Sequence, residues 1–150
     1  MFLQILYLKS EKCLIDKNMD SNYLENLYSE NILEHSRNPK NKVEAIETEC
    51  EFCLGLGNNA DCGDRAELFL DIEDEKIKNV SWAGNGCALS QAGMSLMTEK
   101  IKNDKLQIQD LKLWTPANIY ELLGVQISPS RVNCALLSYR CLTDVLRKIK

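Results

Sequence analysis

The sequence contains a single histidine, His35, three prolines, and no apolar run long enough to cross a bilayer. Each scarcity excludes something. One histidine cannot build a histidine-based metal centre. Without an excess of basic residues, at a net charge of −4, the chain lacks the positive footprint that phosphate contacts require. We therefore expect no nucleic-acid partner and no membrane anchor. The opening "MFLQILYL" is apolar, but no positive segment precedes it and no small-x-small cleavage site follows, so it does not read as an export signal. Internal repeats, linkers and low-complexity tracts are absent, and 150 residues suit one domain.

Cysteine is what the chain has in excess. There are seven, an odd number that fits poorly with paired disulfides. Together with the missing export signal, this points to a reducing cytoplasmic setting, where clustered cysteines are more often metal-binding or reactive than structural.

Residues 1–18 fit the remainder poorly. They read either as the product of an upstream start codon, with the domain spanning 19–150 from Met19, or as a real extension carrying Cys13. A first helix is expected over 23–35, where Leu24, Leu27, Tyr28 and Ile32 keep helical spacing. Asn22 and Glu25 make a capping-box variant, and Pro39 ends the helix. "KVEAIE" at 42–47 alternates weakly and is expected to form a first strand. Residues 50–63, rich in Gly, Asn and Cys, read as loop. "RAELFLDI" at 65–72 puts Ala66, Leu68, Leu70 and Ile72 on one face of a strand, and "IKNVSW" at 77–82 completes a hairpin across the turn "EDEK". "AGNGC" at 83–87 reads as loop. Helices follow at about 88–102, after Pro116 up to Gly124, and over 134–149. The expected class is α+β: an N-terminal helix, a small antiparallel three-stranded sheet, and several C-terminal helices packed on it.

Three cysteines share a setting. Cys62 enters a strand from a loop, with Gly63 freeing the backbone to turn before Asp64. Cys87 and Cys134 each precede a predicted helix, whose free N–H groups favour the thiolate. Cys62, Asp64, Cys87 and Cys134 together offer three thiolates and a carboxylate, a set that zinc accepts, and thiolates anchor iron–sulfur clusters. Free cysteines packed as small hydrophobes are the alternative.

"DCGD" at 61–64, "WAGNGCALSQAGMSLMTEKIK" at 82–102 and "PSRVNCALLSYRCL" at 129–142 resemble the three cysteine segments of the NifU N-terminal/IscU/SufU family. "ILEHSRNPKN" at 32–41 is similar to its H-x-x-x-P-x-N opening. The resemblance spans about residues 20–147. It implies a scaffold for iron–sulfur cluster assembly rather than an enzyme. Such a scaffold takes sulfur from a cysteine desulfurase, meets an iron donor, and passes a transient [2Fe–2S] cluster to recipient proteins, as a monomer or homodimer. It further implies Cys62, Asp64, Cys87 and Cys134 as ligands, with Cys134 a candidate persulfide acceptor.

Two features divide the resemblance. IscU-type members have a histidine where Asn133 stands, whereas SufU-type members, zinc-binding sulfur acceptors that stimulate their desulfurase, carry an arginine like Arg131. Arg131 is a candidate to stabilise a thiolate or contact the desulfurase. SufU-type members also carry an insertion between the second and third cysteines, and here only 46 residues lie between Cys87 and Cys134. "ISPSRVN" matches the family's chaperone-recognition segment poorly. Outside the resemblance, Cys50 and Cys53 form a C-x-x-C, either incidental, loosely redox-active, or an auxiliary ligand pair. Cys141 falls on an apolar helical stripe and reads as core, as do Met94 and Met97. His35 reads as structural. Lys100, Lys102 and Lys105 read as a solvated face.

Overall fold

A computed structural model describes the backbone over residues 21–60 and 63–149, and side chains over 29–60 and 63–149. The expectations for residues 1–18, for the Asn22–Glu25 cap and for Cys62 lie outside these residues.

The first helix, α1 (Ser21–Arg37), ends one residue before the position that Pro39 biases away from helix. Three antiparallel strands follow in the order β1 (Leu54–Asn59), β2 (Asp64–Glu73), β3 (Lys76–Asn85). Then come α2 (Ala88–Asn103), α3 (Ile108–Lys112), α4 (Pro116–Leu123), α5 (Val132–Ala135) and α6 (Leu137–Lys148). This is the expected α+β architecture, with its first strand elsewhere. "KVEAIE" contributes only an isolated parallel bridge, Lys42 to Trp82, closed by Val43 N–H donating to Trp82 O (2.8 Å) and Trp82 N–H to Asn41 O (3.0 Å). Its acidic residues Glu44 and Glu47 are exposed, so little apolar surface there rewards pairing.

The true first strand, "LGLGNN", lies in the stretch read as loop. Gly55 and Gly57 weaken strand propensity, but both face α6 at close range. A Cβ at Gly55 would lie 2.0 Å from the Cys141 carbonyl oxygen, and one at Gly57 would lie 2.6 Å from Cys141 Sγ. The glycines are what allow strand and helix to meet. Asp144 of α6 fastens the same strand, accepting a hydrogen bond from Leu56 N–H at 2.8 Å. Burial alone would raise the Asp144 carboxyl, but that bond and Lys148 hold it below its ordinary value.

The β2–β3 hairpin turns through Asp74 and Glu75, both at positive φ, as a two-residue primed turn requires. β3 runs on to Asn85, past the expected loop boundary at 83. The inner face of the sheet (Ala66, Leu68, Leu70, Val80 and Trp82) packs with Met94, Met97 and Ile101 of α2 and Leu137, Leu142 and Val145 of α6. Met94 and Met97 are fully buried core residues, and so is Cys141. Its burial pushes the Cys141 thiol up to about 12. His35 is buried and its Nδ1 lies 2.7 Å from Ser95 Oγ. Lys102 and Lys105 are exposed, but Lys100 pairs with Asp104 at 2.6 Å and is mostly covered, which corrects the reading of all three as solvated.

The expected last helix is two helices, α5 and α6, separated at Leu136, and α3 was not anticipated. Gly124 ends α4 in the left-handed conformation, as expected.

Candidate metal and sulfur site

β2 buries every second residue: Asp64, Ala66, Leu68, Leu70. Asp64 is thus the last inward position of a core-facing row, and the same alternation that builds the core aims its carboxylate at the helices. Gly63, at φ +73°, makes the turn into the strand. Opposite Asp64 in the β1–β2 ladder stands Asn59, also inward and buried.

Cys87 is the N-cap residue of α2, with extended backbone angles. Its N–H donates to Asp64 Oδ1 at 3.2 Å. Gly86 provides the clearance, since a Cβ there would lie 3.0 Å from Asp64 Cγ. Cys134 is the third residue of α5, inside the helix rather than before its start as the sequence reading had it.

A carboxylate oxygen of Asp64 and the sulfurs of Cys87 and Cys134 all lie within 4.8 Å of one another. Asp64 and Cys134 are buried, and Cys87 is half-exposed, so the cluster has an inner wall and one accessible sulfur. Zinc–sulfur and zinc–oxygen bonds of about 2.3 and 2.1 Å fit donors at this spacing around a single ion. Soft thiolates with one hard carboxylate are also a chemically suitable set for iron.

Two residues that the sequence reading did not single out hold the cluster together. Ser90, one turn into α2, donates its hydroxyl to Asp64 Oδ2 at 2.6 Å. Ser90 Oγ also lies 3.4 Å from Cys87 Sγ and 3.3 Å from the Cys134 carbonyl oxygen. Asn59 Nδ2 donates to Cys134 Sγ at 3.5 Å. Burial would raise the Cys87 thiol, and the Asp64 charge adds to that. Hydrogen bonds from Ser90 and from Cys134 outweigh both and leave it lowered. A Ser three residues after a helix-capping Cys was a readable signal. Asn59 was hidden because its strand was.

Asn133 turns outward to accept from Arg140 Nη2 at 2.7 Å, and Arg140 Nη1 donates to Asn58 O at 3.3 Å. Arg131 is exposed, and its side chain makes no hydrogen bond or ion pair among the described residues. Cys50 and Cys53 are joined as a disulfide. Cys50 precedes and Cys53 ends the short 3-10 turn Glu51–Cys53 at the start of β1, and the cluster lies at the far end of that strand.

Residues 27–149 match the NifU-like N terminal domain family. The chain belongs to that family. It is 28% identical over 137 residues to the iron–sulfur cluster assembly scaffold protein IscU of Thermotoga maritima, covering 82% of this chain and 94% of that one. It is equally 28% identical, over 140 residues, to the zinc-dependent sulfurtransferase SufU of Bacillus subtilis, covering 83% of this chain and 92% of that one. The crystal structure of a nitrogen-fixing NifU-like protein (N-terminal) from Brucella abortus superposes with a TM-score of 0.64 at 18% identity, over 81% of this chain and 93% of that one, a likeness of fold. Among the described residues no helix is long and apolar enough to cross a membrane.

Proposed function

We propose that this chain is a scaffold for iron–sulfur cluster assembly. It takes sulfur from a cysteine desulfurase, joins it to iron, holds a labile [2Fe–2S] cluster and gives it up to recipient proteins. The observation that carries the reading is the convergence of Asp64, Cys87 and Cys134 at one end of the sheet. Cys62, two positions before Asp64, is proposed as the fourth ligand. The thiolates hold iron. The carboxylate is a harder, weaker partner for it, which suits a cargo that must leave. Among the described cluster residues, Cys87 carries the sulfur reachable from outside. Cys134, the proposed persulfide acceptor, is 3% exposed and takes sulfur by relay from Cys87.

One observation favours a second reading, zinc-dependent sulfur transfer. The residue before Cys134 is Asn133, and Arg140 holds its side chain away from the cluster, so this position adds no ligand to an iron site.

The test is the metal and acid-labile sulfide content of the anaerobically purified chain, before and after incubation with ferrous iron, cysteine and a cysteine desulfurase. A scaffold gains iron and sulfide in equal amounts, and Asp64→Ala lengthens the cluster's half-life several-fold. Zinc retained without sulfide, with faster desulfurase turnover, selects sulfur transfer instead. Loss of all metal binding in Asp64→Ala overturns the role given to the carboxylate.

A further inference from the structure

Cys50 and Cys53 lie outside the cluster and have no part in the function proposed above. Their setting is asymmetric: Cys53 is buried, Cys50 half-buried, and Phe52 between them is 68% exposed. The turn is closed by Cys53 N–H donating to Cys50 O at 3.2 Å, and the two Cα atoms are 5.4 Å apart, within the range a disulfide spans. One sulfur is therefore open to a co-reactant, and the other waits beneath it. From Leu54 to Asn59, β1 extends roughly 17 Å at strand rise. The pair is too far from Asp64 and Cys134 to serve as ligands beside them.

The chemistry of the proposed function leaves a gap of matching size. Sulfur from a desulfurase arrives as sulfane sulfur, at oxidation state zero, and sulfide in a cluster is at minus two. Two electrons per sulfur are needed. The proposed ligand cysteines, Cys62, Cys87 and Cys134, supply them only by pairing among themselves, which removes ligands. Cys50 and Cys53 supply them at no cost to the cluster.

We propose that Cys50 and Cys53 form a second thiol centre, which reduces a persulfide and releases its outer sulfur as sulfide. This rests on the sulfur-accepting reading of the cluster. In the reduced pair, the Cys50 thiolate attacks the outer sulfur of a persulfide R–S–SH. The R–S bond to that sulfur breaks, R–S⁻ leaves and takes up a proton, and Cys50 carries the persulfide. Cys53 then attacks the Cys50 sulfur, hydrosulfide leaves, and the Cys50–Cys53 disulfide forms. The outer sulfur gains the two electrons that the two thiols lose, giving R–SH, one H₂S and one disulfide. The disulfide in the structure is the spent form, and a dithiol reductant resets it by thiol–disulfide exchange.

The experiment uses the full chain, reduced and zinc-loaded so that the cluster thiols are covered, with glutathione persulfide as probe. Sulfide release is followed in a single turnover, and the thiols are mapped by mass spectrometry. The expected result is one sulfide per chain, appearing together with the Cys50–Cys53 disulfide. Cys53→Ser should stop at a persulfide on Cys50, and Cys50→Ser should bring sulfide to background while zinc content, the check on folding, stays unchanged. Wild-type sulfide release from Cys50→Ser, or release without the 50–53 disulfide, overturns the proposal. A parallel sample charged by a desulfurase reports persulfide on the cluster cysteines. Its failure counts against the sulfur-accepting reading and leaves the glutathione persulfide result to judge Cys50 and Cys53 alone.

Discussion

Among single residues, Ser90 touches all three members of the cluster, Asp64, Cys87 and Cys134. Its hydroxyl carries one proton, and the 2.6 Å contact with Asp64 Oδ2 is the shortest of its three, so the carboxylate receives it. With Cys87 N–H on Oδ1, both oxygens of Asp64 are held before any metal arrives. A ligand held in place loses less freedom on binding, and such supporting bonds typically change metal affinity by about 10–100-fold. Ser90→Ala removes this support. We expect zinc affinity to fall about tenfold. A chelator competition measures it, and an unchanged affinity would leave Ser90 as packing only.

The elements most legible in the sequence were those that alternate or keep helical spacing without interruption. β2 was readable because Ala66, Leu68 and Leu70 repeat every second residue, and Asp64 was in phase with them. β1 was not, because two of its three inward residues, Gly55 and Gly57, are glycines, chosen by the approach of α6 rather than by any preference for strand. α3 is five residues long, too short for periodicity, although Asp110 accepting from Gln107 N–H (2.9 Å) left a capping signal. The convergence of Asp64, Cys87 and Cys134 could be anticipated as types and positions. The hydrogen bonds that organise it join residues far apart in the chain, so they depend on the folded register. The β1–α6 contact makes its own prediction. Gly55→Ala drives a Cβ into the Cys141 carbonyl, a backbone atom that moves only with its helix, so overpacking should cost about 1–3 kcal/mol. Cys141→Ser, at the same interface, keeps the volume and a donor for Ala66 O, where Sγ now lies at 3.4 Å. Urea denaturation should rank Gly55→Ala as the less stable, and Cys141→Ser should retain its zinc. Metal loss in Cys141→Ser would end its assignment as core.

At the scale of the whole molecule, α1 and the segment after it are tied to the body through α2. His35 Nδ1 meets Ser95 Oγ at 2.7 Å, Lys40 N–H donates to the same oxygen at 2.8 Å, and Trp82 Nε1 donates to Lys40 O at 2.8 Å. The lone histidine, which could not make a metal centre, therefore joins α1 to the core. Burial lowers its pKa from the ordinary 6.5. Glu99 and Glu34 oppose that shift, and Lys40 adds to it. The sign of the pH effect follows. In the unfolded chain His35 takes up a proton as pH falls through about 6.5, whereas in the folded chain it does so only lower down. Between those values the unfolded state binds more protons, so stability declines as pH drops below about 6.5 and stops declining once the folded imidazole is also charged. His35→Gln keeps a polar partner for Ser95 and removes the titration. The midpoint of urea unfolding, compared between about pH 7.5 and about pH 5.5, should fall further for the wild type than for the variant. Equal declines would place the acid sensitivity in other groups and leave His35 a purely steric part of the α1 contact.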